Sequence, residues 1–194
     1  MRILGLTGSI GMGKSATARL FRDAGVPVHD ADDVVHQLYA GEAAPLIEAA
    51  FPGTTGPQGV NRAALGQAVL GDPAALRRLE GLIHPLVARQ RELFLSEQRR
   101  NGAALVVLDI PLLFETGGEA LVNVIIVVSA PKSVQKARVL ARPGMSSARF
   151  EAIMAQQLPD AEKRRRAHVI LNTGGGIDLT RRAVQTLLRA LAGQ

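Results

Sequence analysis

One short stretch near the N-terminus restricts the possible folds of this chain more than any other feature. The sequence LGLTGSIGMGKSATARLF, from Leu4 to Phe21, begins as an apolar strand, turns through glycines and continues with helical periodicity. Within it, the segment from Gly8 to Ser15 matches the pattern G-x-x-x-x-G-K-[ST] between the predicted strand and the predicted helix. A turn that only packed a strand against a helix would explain neither Lys14 nor these flanking elements, so we interpret the segment as a phosphate-binding loop.

The residue types in this loop suit the phosphates of a nucleoside triphosphate. Glycines such as Gly8, Gly11 and Gly13 allow successive backbone N–H groups to converge on phosphate oxygens, and the helix N-terminus adds a partial positive charge. Lys14 is expected to reach the β- and γ-phosphates, and the Ser15 hydroxyl is expected to bind Mg²⁺. The loop therefore predicts ATP-like and Mg²⁺ ligands.

The distribution of apolar runs predicts an α/β fold in a single domain, residues 1–194. Because buried parallel strands read as short apolar runs separated by helical segments, we predict a three-layer P-loop NTPase fold with a five-stranded, mainly parallel sheet. About seventy-five residues, 31–104, separate the second run from the third and predict a helical insertion. A lid is predicted near residues 138–166. The runs are Ile3 to Leu6, Val26 to His29, Leu105 to Leu108, Val122 to Val128 and Val169 to Leu171.

Local signals predict where several helices begin and end. Asp72-Pro73 places a capping carboxylate before a proline at the first helical position, whereas His84-Pro85 is predicted to interrupt the helical pattern before a long helix that reaches about Asn101. Asp178 is the predicted N-cap of a helix from Leu179 to Ala192. Other predictions are helices at Asp33 to Tyr39, Ala44 to Phe51 and Pro131 to Arg142, and a loop at Phe51 to Gly59.

Composition limits the partners and the compartment. No apolar stretch approaches a membrane span, no signal-peptide cleavage pattern follows the N-terminal run, and the absence of cysteine suits a reducing cytoplasm. The net charge of +6 favours a polyanionic partner. The basic run from Lys163 to Arg166 has no interleaved aromatic residues, so a solvated or phosphate-facing helix is favoured over a nucleic-acid surface.

Carboxylates follow two of the predicted strands, where open α/β sheets build their sites. In HDADD, from His29 to Asp33, Asp32 is the candidate general base for an acceptor hydroxyl, although any one of Asp30, Asp32 and Asp33 could instead cap a helix. Asp109 ends the third strand and is a candidate to support Mg²⁺ or its water shell, with helix capping as the alternative. No asparagine is followed by lysine, which argues against a GTPase.

Arginines on the predicted helix after the fourth strand, Pro131 to Arg142, predict a mobile cover for the transferring phosphate. Gln135, Arg138 and Arg142 are spaced by three and four residues and share a helix face, and Arg142 precedes the Pro143-Gly144 break. An arginine there could close over the triphosphate and exclude water, while the alternative is a solvated helix face. His84 carries little functional signal by itself.

Taken together, these segments resemble the dephospho-CoA kinase family over nearly the whole chain. The resemblance is carried in order by GLTGSIGMGKS, VHDADDVVHQLY, LEGLIHPLV, LDIPLLFE, QKARVLAR and QQLPDAEKRRRAHVILNTGG. It implies ATP-dependent phosphorylation of the ribose 3'-hydroxyl of dephospho-CoA, the last step of coenzyme A synthesis. It also implies a cytoplasmic phosphotransferase with an alcohol acceptor, working as a monomer or weak homo-oligomer without nucleic acid or membrane partners.

The resemblance assigns roles residue by residue. Gly8 and the segment Gly11, Met12, Gly13, Lys14, Ser15 and Ala16 would bind the ATP phosphates, with Arg138 and Arg142 in the lid. Asp32, His84 and Leu113 would face dephospho-CoA, with Asp32, Lys14 and Arg142 catalytic and with Ser15 and Asp109 serving Mg²⁺. For Leu113, as for Leu112 and Phe114, packing in the core is an equal alternative. The chain departs from the family pattern at four positions, which are Ala16, Ile153, His168 and Asn172.

Two alternatives remain at this point. Another small-metabolite kinase, acting on a nucleoside or a sugar, would share Lys14, Ser15 and the lid. A nucleotide-dependent RNA-binding regulator would bind RNA with a steep salt dependence, and the scarcity of aromatic residues counts against it.

Overall fold

Seven strands and nine α-helices are present in the computed structural model, which describes residues 1–192. The strands are β1 (Arg2–Thr7), β2 (Val28–Asp30), β3 (Thr55–Gly56), β4 (Gly59–Val60), β5 (Leu105–Asp109), β6 (Val124–Ser129) and β7 (Val169–Asn172). The helices are α1 (Lys14–Asp23), α2 (Ala31–Ala40), α3 (Ala43–Ala50), α4 (Arg62–Val69), α5 (Pro73–Arg100), α6 (Lys132–Leu140), α7 (Ser147–Ala155), α8 (Asp160–Arg166) and α9 (Ile177–Ala192). A 3₁₀ turn covers Gly118–Leu121.

The chain divides into two units. The first contains residues 1–29 together with the chain from Asn101 onward, and the second contains Asp30–Arg100. Within the part of the chain that the structure describes, no helix combines the length and apolar composition needed to cross a membrane.

A five-stranded sheet in the order β2-β5-β1-β6-β7 forms the centre of the first unit. Strand β1 pairs in parallel with both β5 and β6, and β6 pairs in parallel with β7. The carboxyl ends of these strands therefore lie along one edge, with Leu6 opposite Asp109 and Ser129 opposite Asn172. This edge carries the glycine loop, and the predicted sheet is confirmed.

Alternating side chains of β6 explain why the first unit has three layers. Ile126 and Val128 pack in a cluster with α1 and α9, whereas Ile125 and Val127 pack with Leu113 in a second cluster. Since successive residues of a strand point to opposite faces, a strand apolar at every position buries both faces. Each fully buried aliphatic side chain contributes about 1.5–3 kcal/mol to the stability of the fold.

The second unit has its own helical core. Buried residues of α2, α3, α4 and α5 form it, including Leu38, Ile47, Leu65 and Leu79. The segment predicted as a loop, Phe51 to Gly59, contains most of a short antiparallel hairpin, β3 paired with β4, which was not predicted. Two-residue strands carry too little alternation to be recognised from sequence.

Helix α5 runs without interruption through His84-Pro85, so the predicted break there is wrong. A proline inside a helix removes one backbone hydrogen bond, to the residue four positions earlier, and its ring crowds that carbonyl group. The buried side chains Ala75, Leu79 and Ile83 continue into Leu86 and Val87, which pack on the same core. A continuous helix keeps this apolar face together, and its burial outweighs the cost of the proline.

Two other expectations need correction. Helix α9 begins at Ile177 instead of Leu179, so Asp178 lies inside the first turn and pairs with Arg181 instead of capping the helix. Lys163 is not solvated or phosphate-facing, because its side chain is fully buried. The other three residues of the basic run, Arg164 to Arg166, are exposed, as predicted for a solvated helix face, and Arg165 and Arg166 form ion pairs with Glu162.

A buried ion pair connects α8 to the segment after β5. The Lys163 ammonium lies 2.8 Å from Glu115 Oε1, and the Leu158 N–H also donates to this carboxylate. Partial burial by itself raises the pKa of Glu115, but the hydrogen bonds from Lys163 and Leu158 outweigh it, so the pKa lies below the ordinary glutamate value. The ionised form is therefore favoured by folding.

Replacing Glu115 by glutamine should destabilise the protein by about 3 kcal/mol, because the Lys163 charge then stays buried without a carboxylate. A lowered pKa contributes stability above the unfolded-state pKa and loses it as pH falls through the folded-state pKa. The difference between wild type and E115Q should therefore shrink as pH falls below the ordinary glutamate value. Urea unfolding at several pH values measures both effects.

Glu119→Gln is the matched control for this experiment. Glu119 lies 3.7 Å from Arg166, and both side chains are at least one-third exposed (36% and 47%). Since exposed ion pairs contribute about 0–1 kcal/mol, E119Q should change stability little. An E115Q protein as stable as E119Q would contradict a structural role for the buried pair.

Candidate active site

The glycine loop between β1 and α1 has a backbone shape that side chains would prevent. Gly11 and Gly13 have φ values of 78° and 89°, in the left-handed region that favours glycine. A Cβ on Gly11 would lie 2.5 Å from Val139 Cγ2, and a Cβ on Gly8 would lie 2.4 Å from Val128 Cγ2. The loop is therefore packed closely against β6 and α6, and the glycines permit that packing.

Backbone donors at the start of α1 are available to an anion. Gly13 is the N-cap, provides no side-chain cap, and is followed by a first turn without acidic residues. Among residues 1–192, no acceptor is found for the N–H groups of Gly11, Gly13, Lys14 and Ser15. Because the first turn of a helix also carries a partial positive charge, these donors form a site for phosphate oxygens.

Three distant residues hold the loop in this shape. The Ile10 N–H donates to Gln157 Oε1 over 3.0 Å, and Gln135 Nε2 donates to the Ile10 carbonyl oxygen over 2.8 Å. Thr173 Oγ1 donates to the Met12 carbonyl oxygen over 2.8 Å. Sequence reasoning missed Gln157 and Thr173 and gave Gln135 no such role, since no local pattern connects residues more than 100 positions apart.

Lys14 forms an ion pair with the buried carboxylate at the end of β5. Its ammonium lies 2.6 Å from Asp109 Oδ1, and the two side chains are 13% and 0% exposed. The pair brings together two residues that the sequence predicted for the site. It also holds the lysine over the loop, where its charge is ready for a phosphate.

The donor set suits a magnesium ion held mainly by its substrate. No group of three or more His, Cys, Asp or Glu side chains placed to hold a metal is found in residues 1–192. Mg²⁺ is usually bound through one or two protein oxygens together with substrate phosphates and waters. The exposed Ser15 hydroxyl and the Asp109 carboxylate offer that kind of limited oxygen ligation.

A cavity of about 340 Å³ adjoins the glycine loop. Ala16 and Thr17 of α1, Arg138 and Arg142, and the segment after β7 with the first turns of α9 line it. Arg138 donates to Thr173 twice, from Nη1 to Oγ1 over 3.0 Å and from Nη2 to the carbonyl oxygen over 2.8 Å. The cavity is of a size for a nucleobase beside the phosphate site, and Arg142 is exposed at its border.

In the second unit, the carboxylates of HDADD have separate tasks. Asp30 is the N-cap of α2, and its Oδ1 accepts from the N–H groups of Asp32 and Asp33. The side chains of Asp32 and Asp33 are exposed and are not used for capping. Since capping satisfies the helix through Asp30, the alternative that Asp32 is the cap is excluded.

The other predicted acceptor residues differ in accessibility. His84 is exposed on α5. Leu113 is fully buried, with its side chain against Gly5 and in a cluster with Phe114, Ile125 and Val127. In this structure the Leu113 side chain is core and offers no surface to a ligand.

Two of the departures from the family pattern have structural roles. His168 Nδ1 accepts from the Ile125 N–H over 3.0 Å, which ties the start of β7 to β6. Asn172 Oδ1 accepts from the Gly174 N–H over 2.8 Å at the border of the cavity segment. Ile153 is half-buried on α7, and nothing in the structure gives it a further role.

Comparison with known proteins gives consistent results. A family model described as dephospho-CoA kinase matches residues 2–178. The dephospho-CoA kinase of Mesorhizobium japonicum is 57% identical over 194 residues, covering 100% of this chain and 98% of that protein. The crystal structure of TT1252 from Thermus thermophilus has a TM-score of 0.84 at 37% identity, covering 98% and 97% of the two chains. A Campylobacter jejuni dephospho-CoA kinase structure has the same fold, with a TM-score of 0.68 at 22% identity and coverage of 98% and 97%.

Lys14→Met should have two separable effects. It removes the ammonium that offsets the buried Asp109 charge, so we expect a loss of about 3 kcal/mol in the free energy of unfolding. It also removes a cation from the phosphate site, so affinity for a nucleoside triphosphate should fall. Urea unfolding and calorimetric titration with ATP measure these effects.

The double variant K14M/D109N is the control for that experiment. Removing both charges should restore most of the stability, because no uncompensated buried carboxylate remains, but it should not restore ATP binding. A K14M protein with wild-type stability, or a double variant that binds ATP like wild type, would contradict the interpretation of the pair.

Proposed function

Because the chain belongs to the dephospho-CoA kinase family, it phosphorylates dephospho-CoA with ATP in coenzyme A biosynthesis, and we propose that Asp32 accepts the proton of the ribose 3'-hydroxyl. One observation carries this proposal. Asp30 caps α2, so the Asp32 carboxylate is not needed for capping. The Asp32 side chain is exposed in the first helical turn and accepts no hydrogen bond from the described residues. A carboxylate in that state can bind an acceptor hydroxyl and receive its proton as the phosphoryl group is transferred.

The ATP side of the reaction is proposed to use the glycine loop. The N–H groups of the loop and first helical turn, at Gly11, Gly13, Lys14 and Ser15, would bind the phosphates. The Lys14 ammonium would contact the β- and γ-phosphates. The cavity bordered by Ala16 and Thr173 would receive the adenine ring. The loop is already held in shape by Gln135, Gln157 and Thr173, so little reorganisation accompanies binding.

Magnesium is proposed to bind with the triphosphate. A bound magnesium ion would neutralise charge on the triphosphate. Ser15 would bind it directly and Asp109 would support it, through water while Lys14 holds the carboxylate.

Arg142 is proposed to neutralise the transferring phosphoryl group. It borders the nucleotide cavity, is exposed at the end of α6, and precedes Pro143-Gly144. Arg138 is instead held by Thr173, so it is proposed to support the nucleotide from the cavity wall. His84, which is exposed on α5, is proposed to contact dephospho-CoA.

The setting of the enzyme follows from its reaction. It is proposed to act in the cytoplasm on two small phosphorylated substrates, as a monomer or weak homo-oligomer, and without a nucleic acid partner. Mass-spectrometric detection of coenzyme A formed from dephospho-CoA, ATP and Mg²⁺ tests the reaction directly. A faster reaction with nucleosides or simple sugars in a coupled assay would contradict the acceptor assignment.

Asp32→Asn should lower kcat about 10²- to 10⁴-fold, because an amide cannot accept the proton of the acceptor hydroxyl. ATP affinity should be largely retained. Steady-state kinetics with separate ATP titration measure both quantities.

Asp33→Asn is the matched control for Asp32→Asn, since the neighbouring carboxylate has the same charge and exposure. It should keep near wild-type kcat. A collapse of ATP binding in D32N would make Asp32 a structural or metal-supporting group and would place the base elsewhere.

Arg142→Ala should lower kcat about 10³-fold or more, as expected for an arginine that neutralises a transferring phosphoryl group. Arg189→Ala, an exposed arginine near the end of α9, is the matched control and should leave the rate unchanged. Wild-type turnover by R142A in a coupled assay would remove Arg142 from the mechanism.

A further inference from the structure

A second cavity, of about 460 Å³, lies within the second unit and is not used by the mechanism above. The C-terminal half of α2, the β3–β4 hairpin and the first residue of α4 form its walls. The ionisable side chains in its wall are those of His36, Tyr39 and Arg62. A polar cavity with a cation in its wall is a candidate site for an anionic group.

Arg62 is held in place by neutral partners. Its guanidinium carbon lies 5.4 Å from the centroid of the Tyr39 ring, and Nη2 lies 3.2 Å from His36 Nδ1. Because a guanidinium has donors but no acceptor, the His36 nitrogen accepts this hydrogen bond. No carboxylate of residues 1–192 forms an ion pair with Arg62. Most of its five donors therefore remain for a ligand.

The backbone around Arg62 is preformed. Asn61 caps α4 by accepting from the N–H groups of Ala63 and Ala64, which fixes the position of Arg62 as the first helical residue. Glu48 accepts from the Gly53 and Thr55 N–H groups and so holds the start of the hairpin.

The hairpin also lies directly against α2. A Cβ on Gly59 would lie 2.2 Å from the Tyr39 carbonyl oxygen, so no side chain fits between the two segments. The cavity therefore does not depend on a loop that must first become ordered.

The cavity lies on the same side of α2 as the proposed base. Asp32, His36 and Tyr39 are separated by four and three residues, so they share one face of the helix. With a rise of ~1.5 Å per residue, His36 and Tyr39 lie about 6 and 10 Å along the axis from Asp32. In dephospho-CoA, the two phosphorus atoms lie about 6 and 9 Å from the ribose 3'-oxygen when the intervening bonds, each ~1.5 Å long, are extended.

We propose that Arg62, oriented by Tyr39 and His36, binds the diphosphate of the acceptor while Asp32 receives the proton of its 3'-hydroxyl. This inference rests on the proposed function, because it assigns a second contact to the same substrate. An arginine fork matches phosphate oxygens in two directions, which a lysine point charge does not. Together, Asp32 and Arg62 would thus select an acceptor that carries a diphosphate at a fixed distance from its hydroxyl.

Calorimetric titration without ATP tests the assignment. Dephospho-CoA and adenosine, which lacks the diphosphate, are titrated into wild type, R62A and R62K, each checked for folding by circular dichroism. R62A should bind dephospho-CoA about ten- to a hundred-fold more weakly, as expected for the loss of charge-assisted hydrogen bonds, and should bind adenosine like wild type. R62K should weaken dephospho-CoA severalfold.

Arg77→Ala is the matched control, since Arg77 is an exposed arginine of the same unit, on α5, outside the cavity. It should bind dephospho-CoA like wild type, and the KM for ATP should be unchanged in R62A, which separates the acceptor from ATP as the source of the diphosphate. Undiminished dephospho-CoA binding by R62A, or an equal loss for adenosine, overturns the assignment. If R62A does not fold, undiminished binding by R62K overturns it.

Failure of the Arg62 assignment is distinguishable from failure of the proposed function. A wild-type protein that binds dephospho-CoA but does not phosphorylate it would contradict the function and leave the binding comparison valid. Phosphorylation by wild type with unchanged binding by R62A would contradict only the role of Arg62.

Discussion

The candidate phosphate site depends on unpaired backbone N–H groups held in a shape that the loop residues alone would not keep. Glycines make the turn sterically possible, but they also leave it flexible. Rigidity comes from Gln135, Gln157 and Thr173, which hold Ile10 and Met12 from three separate segments of the chain. The phosphate site is therefore preorganised, and binding energy is not used to order the loop.

The ion pair between Lys14 and Asp109 fixes the position of a charge beside the loop in a similar way. A lysine over an anion site is drawn outward by solvent, whereas here a buried carboxylate holds it beside the loop. That carboxylate is costly to bury without a cation, so the two residues depend on each other.

In the second unit, residues of α2 and the first residue of α4 have separate proposed roles. Asp30 satisfies the start of α2, which leaves Asp32 available for chemistry. One and two turns later, His36 and Tyr39 orient the Arg62 guanidinium. In this arrangement the helical rise would set the spacing between the hydroxyl that reacts and the diphosphate that identifies the acceptor.

The sequence by itself determined the five strands of the large sheet, the glycine loop and the cap at Asp72, because turn geometry, capping and hydrophobic alternation act over a few residues. Only the tertiary structure decided that Asp30 instead of Asp32 caps α2 and that α5 continues through Pro85. It also decided that Lys163 is buried against Glu115 and that Gln157 supports the loop. These outcomes depend on burial and on hydrogen bonds between residues far apart in the chain, which no short window of sequence contains.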